Sequence, residues 1–368
     1  MNTVRLLHAA DLHLDSAFEA LPGTLAAQRR REQRQLLRAL PALAKAQGAQ
    51  LILLSGDLLD TDSPYGETVR MLADAFAETD MHVFISPGNH DYYTANAPYA
   101  RLRFSDNVHI FTRAHLEPVD LPELGVCVWG AAFEDKSCPG LLRGFSVARA
   151  DERIHLLCVH GEVGDPSSPY NPMSEAELAA SGFDYAALGH VHTCSGLRRA
   201  GNTFYAWPGC AEGRGFDETG EKGVLIADVS RAHAEATFVP LGGRRYEKLT
   251  VDVTGRDPLA AVRTELPQGA AQHIYRITLT GVRDRAPNLT QLRAGLEGRV
   301  FAMQLRDETQ LRRDVRASAG EDTLRGLFLA ALKRDYDAAE TDEARERLTL
   351  AARWGLAALD RDEEVFPL

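Results

Sequence analysis

The sequence predicts an α/β protein in which sheet packs on sheet inside outer layers of helix. Three observations point there. The N-terminal part alternates short apolar runs with amphipathic stretches, the rhythm of strand–helix–strand units. The middle part replaces the helices with successive β segments broken by Pro and Gly, which calls for two packed sheets. Near residue 245 the texture changes again, to a smaller β-α-β-α-β unit followed by two amphipathic stretches.

Residues 4–10 read as the first strand. Residues 28–47 read as a helix carrying Leu36, Leu37, Leu40 and Leu43 at helical spacing, with a kink expected at Pro41. Residues 50–55 are apolar throughout, as in a strand buried on both faces. A helix over 67–78 and a strand over 82–85 complete the first group. Short strands follow over 107–129, then strands at 154–159, 204–207 and 223–229. Beyond residue 245, strands at 248–253, 273–280 and 298–305 alternate with helices at 257–265 and 288–297. Residues 321–335 and 342–359 read as two helices, with stripes Leu324, Leu327, Phe328, Leu332 and Leu348, Ala352, Leu356, Leu359. Trp129, Trp207 and Trp354 read as core residues. The expected domains are residues 1–245, 246–320 and 321–368.

The 368 residues carry a formal net charge of -11, so any nucleic-acid contact must be local. The longest apolar run, residues 327–332, is far below the roughly 20 residues of a membrane span. The N-terminus lacks a secretory pattern, and no membrane partner is expected. Five cysteines contain no Cys-x-x-Cys pair, which suits free thiols in a reducing cytoplasm.

Chemistry concentrates in blocks that each follow a predicted strand: Asp11-Leu12-His13, Ser55-Gly56-Asp57, Pro87-Gly88-Asn89-His90-Asp91, His160-Gly161 and Gly189-His190-Val191-His192. In Asp11-Leu12-His13 and in His190-Val191-His192, residues two apart on an extended chain share one face. Mixed carboxylate, amide and imidazole donors suit a borderline divalent cation such as manganese, iron or zinc. So many ligands are too many for one ion; two ions sharing a carboxylate can use them all. Gly56, Gly88, Gly161 and Gly189 permit tight turns beside the ligands. The remaining histidines, His8, His82, His109, His115, His155, His233 and His273, read as structural.

In this order the blocks resemble the calcineurin-like metallophosphoesterase superfamily and, more narrowly, its SbcD/YhaO-like DNA repair exonucleases. The blocks at residues 7–16, 207–210, 213–218 and 221–223 strengthen the likeness. The resemblance implies a four-layer α/β/β/α sandwich with a small α/β capping domain and C-terminal helices. It implies two divalent metal ions, most simply Mn2+: Asp11, His13, Asp57 and His192 would hold one, and Asp57, Asn89, His160 and His190 the other. His90 would be the catalytic histidine, oriented by Asp91. The substrate implied is DNA.

A protein phosphatase is disfavoured, because Thr61 and Asp91 stand where those enzymes carry Arg and Glu. Candidate DNA contacts are Arg214 and the run Arg29, Arg30, Arg31. The implied partners are a second copy of the chain, through segments near 64–79 and 94–104, and an SbcC/YhaN-like coiled-coil ABC-type ATPase. The ATPase would dock on the last helices and the apolar end 365–368. Two alternatives stay open: a phosphodiesterase or phosphatase on small nucleotides, and a non-catalytic regulatory component of an ATPase complex.

Overall fold

The structure is a computed structural model, described over residues 2–61, 64–77, 79–149, 151–283, 285–311 and 323–360. It divides into two compact units. One comprises Met1–Leu249, Pro267–Ile277 and Glu297–Gln304; the other comprises Thr250–Leu266, Thr278–Leu296 and Leu305–Leu368.

In the first unit, strand β1 (Thr3–Ala9) leads to helices α1 (Gly23–Arg34) and α2 (Leu36–Ala46), then strand β2 (Leu51–Leu54). Helix α3 (Gly66–Ala75) joins β2 to β3 (His82–Ile85), and α4 (Pro98–Arg101) precedes β4 (Val108–Ile110). Strands β5 (Glu117–Leu121), β6 (Val126–Gly130) and β7 (Ile154–His160) follow, then the short pair β8 (Glu162–Val163) and β9 (Pro172–Met173). Helix α5 (Glu175–Ser181) starts on a capping box, in which Ser174 and Glu177 satisfy each other's backbone N–H. It leads to β10 (Tyr185–Gly189), β11 (Arg198–Ala200), β12 (Thr203–Ala206), β13 (Gly223–Ser230) and β14 (His233–Pro240).

These strands make two six-stranded sheets, ordered β14-β13-β1-β2-β3-β4 and β11-β12-β10-β7-β6-β5. Pairing is parallel along β1-β2-β3-β4 and along β12-β10-β7-β6, with antiparallel strands at the flanks. Strand alternation assigns the faces. Val4, Leu6, Leu51, Leu53 and Phe84 share one core with Leu156, Cys158, Tyr185 and Ala187, so the sheets pack face to face. Leu7, Ala9, Ile52, Leu54, Val83 and Ile85 face Leu36, Leu37, Leu40, Leu72 and Phe76 of the helices. On the far side, Leu157, Val159, Ala186 and Leu188 face Leu178 of α5. The layers therefore run α/β/β/α, as expected. Both faces of the central strands are buried, which is why they read as unbroken apolar runs.

The helical segment before β2 begins earlier than its leucine spacing indicates, and it breaks at Gln35 rather than at Pro41. Pro41 lies inside α2, where its missing N–H and its ring bear on the carbonyl one turn earlier, at Leu37.

Strands β15 (Tyr246–Asp252), β16 (Ile274–Thr280) and β18 (Ala302–Asp307) form a three-stranded sheet. The second unit holds α6 (Pro258–Glu265), the short parallel pair β17 (Val282–Arg283) and β19 (Gln310–Leu311), α7 (Leu289–Leu296), α8 (Leu324–Ala338) and α9 (Asp342–Asp360). Asp257 caps α6 through Ala260 N–H, with Pro258 in its first turn.

Helices α8 and α9 pack on each other through Leu329, Ala352 and Leu356, with Phe328 and Leu332 beside them. Leu324 and Leu327 are exposed, and so, against expectation, is Trp354. The terminal residues 365–368 and the expected junction at 320/321 lie outside the described residues. Among the described residues, no helix is long and apolar enough to cross a membrane.

Candidate active site

The chemistry-bearing residues all sit at carboxyl ends of parallel strands, the edge where open α/β sheets hold ligands. Asp11 and His13 follow β1, Asp57 follows β2, and Asn89 and His90 follow β3. His160 ends β7, and His190 and His192 follow β10. Asp11, His13, Asp57 and His190 adopt left-handed backbone, with φ of 52°, 43°, 52° and 99°. A non-glycine residue held there costs about 1–3 kcal/mol and persists only where its surroundings over-determine it. Here the loops hold each other: Asp11 N–H donates to Gly56 O at 3.0 Å and His13 N–H to Asp57 O at 2.9 Å. The His190 N–H donates to the Asp11 carboxylate at 3.1 Å.

Two of the glycines beside the ligands serve close approach. A Cβ on Gly189 would lie 1.8 Å from the Ser55 carbonyl oxygen, and one on Gly88 would lie 2.3 Å from Asp57 Oδ1.

Two imidazoles are held in one tautomer, and a third packs beside them. His160 Nδ1 lies 3.0 Å from the Ser55 carbonyl oxygen, which can only accept. His13 Nδ1 lies 2.8 Å from Asp60 Oδ1, and His192 Nδ1 lies 2.8 Å from Glu218 Oε1. The Nδ1 of His160 and that of His13 therefore donate, and their Nε2 atoms turn lone pairs inward, as in metal-binding histidines; His192 Nδ1 also lies 3.2 Å from Arg214 Nη2, which can only donate. His13 Nε2 and His192 Nε2 stand 3.2 Å apart. A divalent cation would find both nitrogens within reach as ligands.

The carboxylates tell the same story. Asp11 and Asp57 are buried beside these nitrogens: His13 Nε2 is 4.0 Å from Asp11 Oδ1 and 3.8 Å from Asp57 Oδ2. His160 Nε2 lies 3.4 Å from Asp57 Oδ2 and 3.0 Å from Asn89 Oδ1. Burial and the neighbouring Asp57 charge raise the Asp11 pKa well above its ordinary value. Burial opposes ionisation of Asp57 too, but His160, His13 and His90 outweigh it and hold its pKa down. Burial also pushes the His13 pKa down to about 4, so that ring is neutral and ready to ligate at pH 7. The groups Asp11–His13–His192, His13–Asp57–His90 and Asp11–Asp57–His160 each bring their ligand atoms within 4.8 Å of one another. The donor set fits divalent cations.

His190 joins none of these three groups; its ring lies against those of His160 and Tyr170, with centroids 5.2 Å and 4.7 Å away. His90 is the most open of the site's histidines, with 44% of its side chain exposed against 31% for His192 and 22% for His190. Its ring meets that of His13 at 4.8 Å.

Two expectations are corrected. Asp91 does not orient His90. It is buried, and its carboxylate accepts from the N–H groups of Leu58 at 2.7 Å and Gly88 at 2.8 Å and from the Tyr99 hydroxyl, pinning the Asp57 loop. The carboxylate facing His90 is Asp60, at 3.5 Å from Nδ1. Arg29 cannot reach DNA: its side chain is fully buried and bonded to Glu32 and Glu212. Arg30 is half-buried and Arg31 exposed. Arg214 does lie at the site, engaged by Asp60 and Glu218.

Asp60 and Glu218 were not singled out from the sequence. Asp60 left a trace in the spacing Gly56-Asp57-x-x-Asp60. Glu218 is remote in sequence from His192, and no local pattern links them. Burial resists ionisation of both, but His13 and Ser16 at Asp60, and His192 and Arg214 at Glu218, hold their pKa values below the ordinary range.

Residues 4–194 match the family model for calcineurin-like phosphoesterases. The chain is 28% identical over 273 residues to YhaO of Bacillus subtilis, described as an uncharacterised metallophosphoesterase; the match covers 71% of this chain and 66% of that protein. It is 23% identical over 271 residues to the SbcD component of the SbcCD nuclease of Staphylococcus epidermidis, covering 65% of this chain and 70% of that protein.

Proposed function

The chain belongs to the calcineurin-like phosphoesterase family, and from that premise we propose that it is a two-metal phosphodiesterase that hydrolyses the DNA backbone. The observation that carries this is the convergence of the His13, His160 and His192 Nε2 atoms on two buried carboxylates, beside an exposed histidine. Asp11, His13, Asp57 and His192 would hold one cation, and Asp57, Asn89, His160 and His190 the other. Manganese suits such mixed oxygen and imidazole donors. Bound cations of this kind supply a water acidic enough to be hydroxide near neutrality and neutralise phosphate charge.

The chain's own residues do the rest. His90 reaches outward from the cluster, where it can give a proton to the leaving sugar oxygen. Asp60 Oδ1 faces its Nδ1 at 3.5 Å. The backbone N–H of His90 donates to Asp57 Oδ1 at 2.9 Å, tying the proton donor to a carboxylate that would hold metal.

DNA as substrate is supported by the likeness to a nuclease component, and the same likeness supports an ATPase partner. Exposed Leu324, Leu327 and Trp354 on the last helices offer a place for it. Arg31 remains a candidate phosphate contact. A homodimer and a cytoplasmic location complete the proposal.

The test uses the full chain, stripped with EDTA and resupplied with manganese, on linear and single-stranded DNA and on a simple phosphodiester. Degradation of DNA that requires both manganese and His90 is the expected result. Hydrolysis of the simple diester alone would move the substrate to small nucleotides. Absence of turnover with any metal, in a chain that still captures an ATPase, would leave a regulatory role.

A further inference from the structure

We infer that Arg214 is a positioning residue for the metal site proposed above: it ties together the two carboxylates that orient His13 and His192. The inference rests on that reading of the site. Arg214 Nη1 donates to Asp60 Oδ1 at 3.0 Å, and Nη2 donates to Glu218 Oε1 at 2.6 Å. Asp60 Oδ1 also accepts from His13 Nδ1 at 2.8 Å, and Glu218 Oε1 lies 2.8 Å from His192 Nδ1, which Arg214 Nη2 itself approaches to 3.2 Å. The two rings then face each other through Nε2 atoms 3.2 Å apart. The result is a closed circuit, imidazole–carboxylate–guanidinium–carboxylate–imidazole, with its gap where a cation would sit.

The loop that carries Arg214 is built for this task. The Arg214 backbone N–H donates to Glu218 Oε2 at 2.8 Å, and Glu218 N–H donates to the Gly215 carbonyl at 3.1 Å, so residues 213–218 close on themselves. Cys210 N–H anchors the preceding turn to the His192 carbonyl at 3.2 Å, next to a bridge between Ala10 and Cys210. The loop is thus fastened to the segments that bear Asp11 and His192. Arg214 has 19% of its side chain exposed, and its donors are spent on the Asp60 and Glu218 carboxylates and on His192 Nδ1.

A planar guanidinium can span two carboxylates in a fixed geometry; an ammonium is a point charge and cannot. Removing a residue that orients a metal-bound imidazole typically weakens metal affinity about 10–100-fold. Because the circuit touches His13 and His192 but not His160, only one of the two manganese sites should weaken.

The experiment is manganese titration of the full chain by calorimetry, with manganese EPR for occupancy. Arg214→Ala should lose about 10–100-fold at one site and leave the other as in the wild type. Arg214→Lys should fall between. Glu218→Gln, which is isosteric, should reproduce the site-selective loss, and the double variant should be little worse than either single one, since both act through one linkage. A merely structural Arg214 would lower the melting temperature in EDTA without distinguishing the two sites.

The inference is overturned if Arg214→Ala binds both ions as the wild type does. It is overturned equally if that variant instead reduces the salt slope of DNA binding by about 1, the mark of a lost phosphate contact. A wild-type chain that takes up no manganese would sink the metal reading itself, an outcome distinct from either.

Discussion

Replacing Arg29 by Ala should destabilise the protein severely at neutral pH and mildly in acid. The Arg29 side chain is fully buried, its Nη1 bonded to Glu32 at 2.8 Å and to Glu212 at 2.9 Å. Glu32 would survive the change, because Arg244 holds it at 2.9 Å and Gln28 donates to it as well. Glu212 would not: its side chain is 6% exposed, and its ion pair is with Arg29.

A buried charge stripped of its partner typically costs about 3–5 kcal/mol. The alternative is to protonate Glu212. For a carboxyl of ordinary pKa about 4.3, at pH 7, that is roughly 2.7 units at about 1.36 kcal/mol each, or about 3.7 kcal/mol. The two routes agree. At pH 5 the protonation route costs only about 1 kcal/mol.

The sign follows from linkage. Burial already raises the Glu212 pKa, and losing Arg29 raises it further, so the variant is most stable below the unfolded pKa and loses stability as pH rises. Urea unfolding at pH 5 and pH 7, with Arg29→Ala and with Arg29→Ala/Glu212→Gln, measures this. The double variant should recover most of the loss at pH 7. A penalty below about 1 kcal/mol at pH 7, or one equal at the two pH values, would refute the account. Any loss of DNA binding in Arg29→Ala would then reflect folding.

Three further outcomes are expected. Gly189→Ala should abolish metal binding and misfold the sheet junction, because its methyl group would collide with backbone at Ser55; circular dichroism and metal titration report both. In EDTA, stability should fall as pH drops below the ordinary histidine pKa, because burial pushes the His8 pKa down to about 3 and the unfolded chain binds the proton first; His8→Phe should flatten that slope by about 1.4 kcal/mol per pH unit. Asp11→Asn should raise the melting temperature of the metal-free protein, by relieving two buried carboxylates, while cancelling the rise that manganese gives the wild type.

Much of this protein was legible in its residues. Leu51, Ile52, Leu53 and Leu54 announce a strand buried on both faces because both faces are packed, and periodicity records burial directly. The ligand blocks were legible for a related reason. A side chain must leave the end of a strand to enter a shared cleft, and glycine must stand where backbones touch, so each block carries a local signature.

What crosses between loops left no such mark. Asp91 looked like a partner of His90 because it is adjacent in sequence, yet its carboxylate turns back to Leu58 and Gly88. Arg29 looked like a DNA contact beside two other arginines, and only packing shows that it faces Glu212. Hydrogen bonds depend on closeness in space and not on separation along the chain. The sequence by itself determined the strands, the layers and the residues that can ligate. The tertiary structure alone decided which carboxylate holds each imidazole, because Asp60 on the loop after β2 meets Arg214 and Glu218 on the loop after β12 only once strands of two different sheets have brought those loops together.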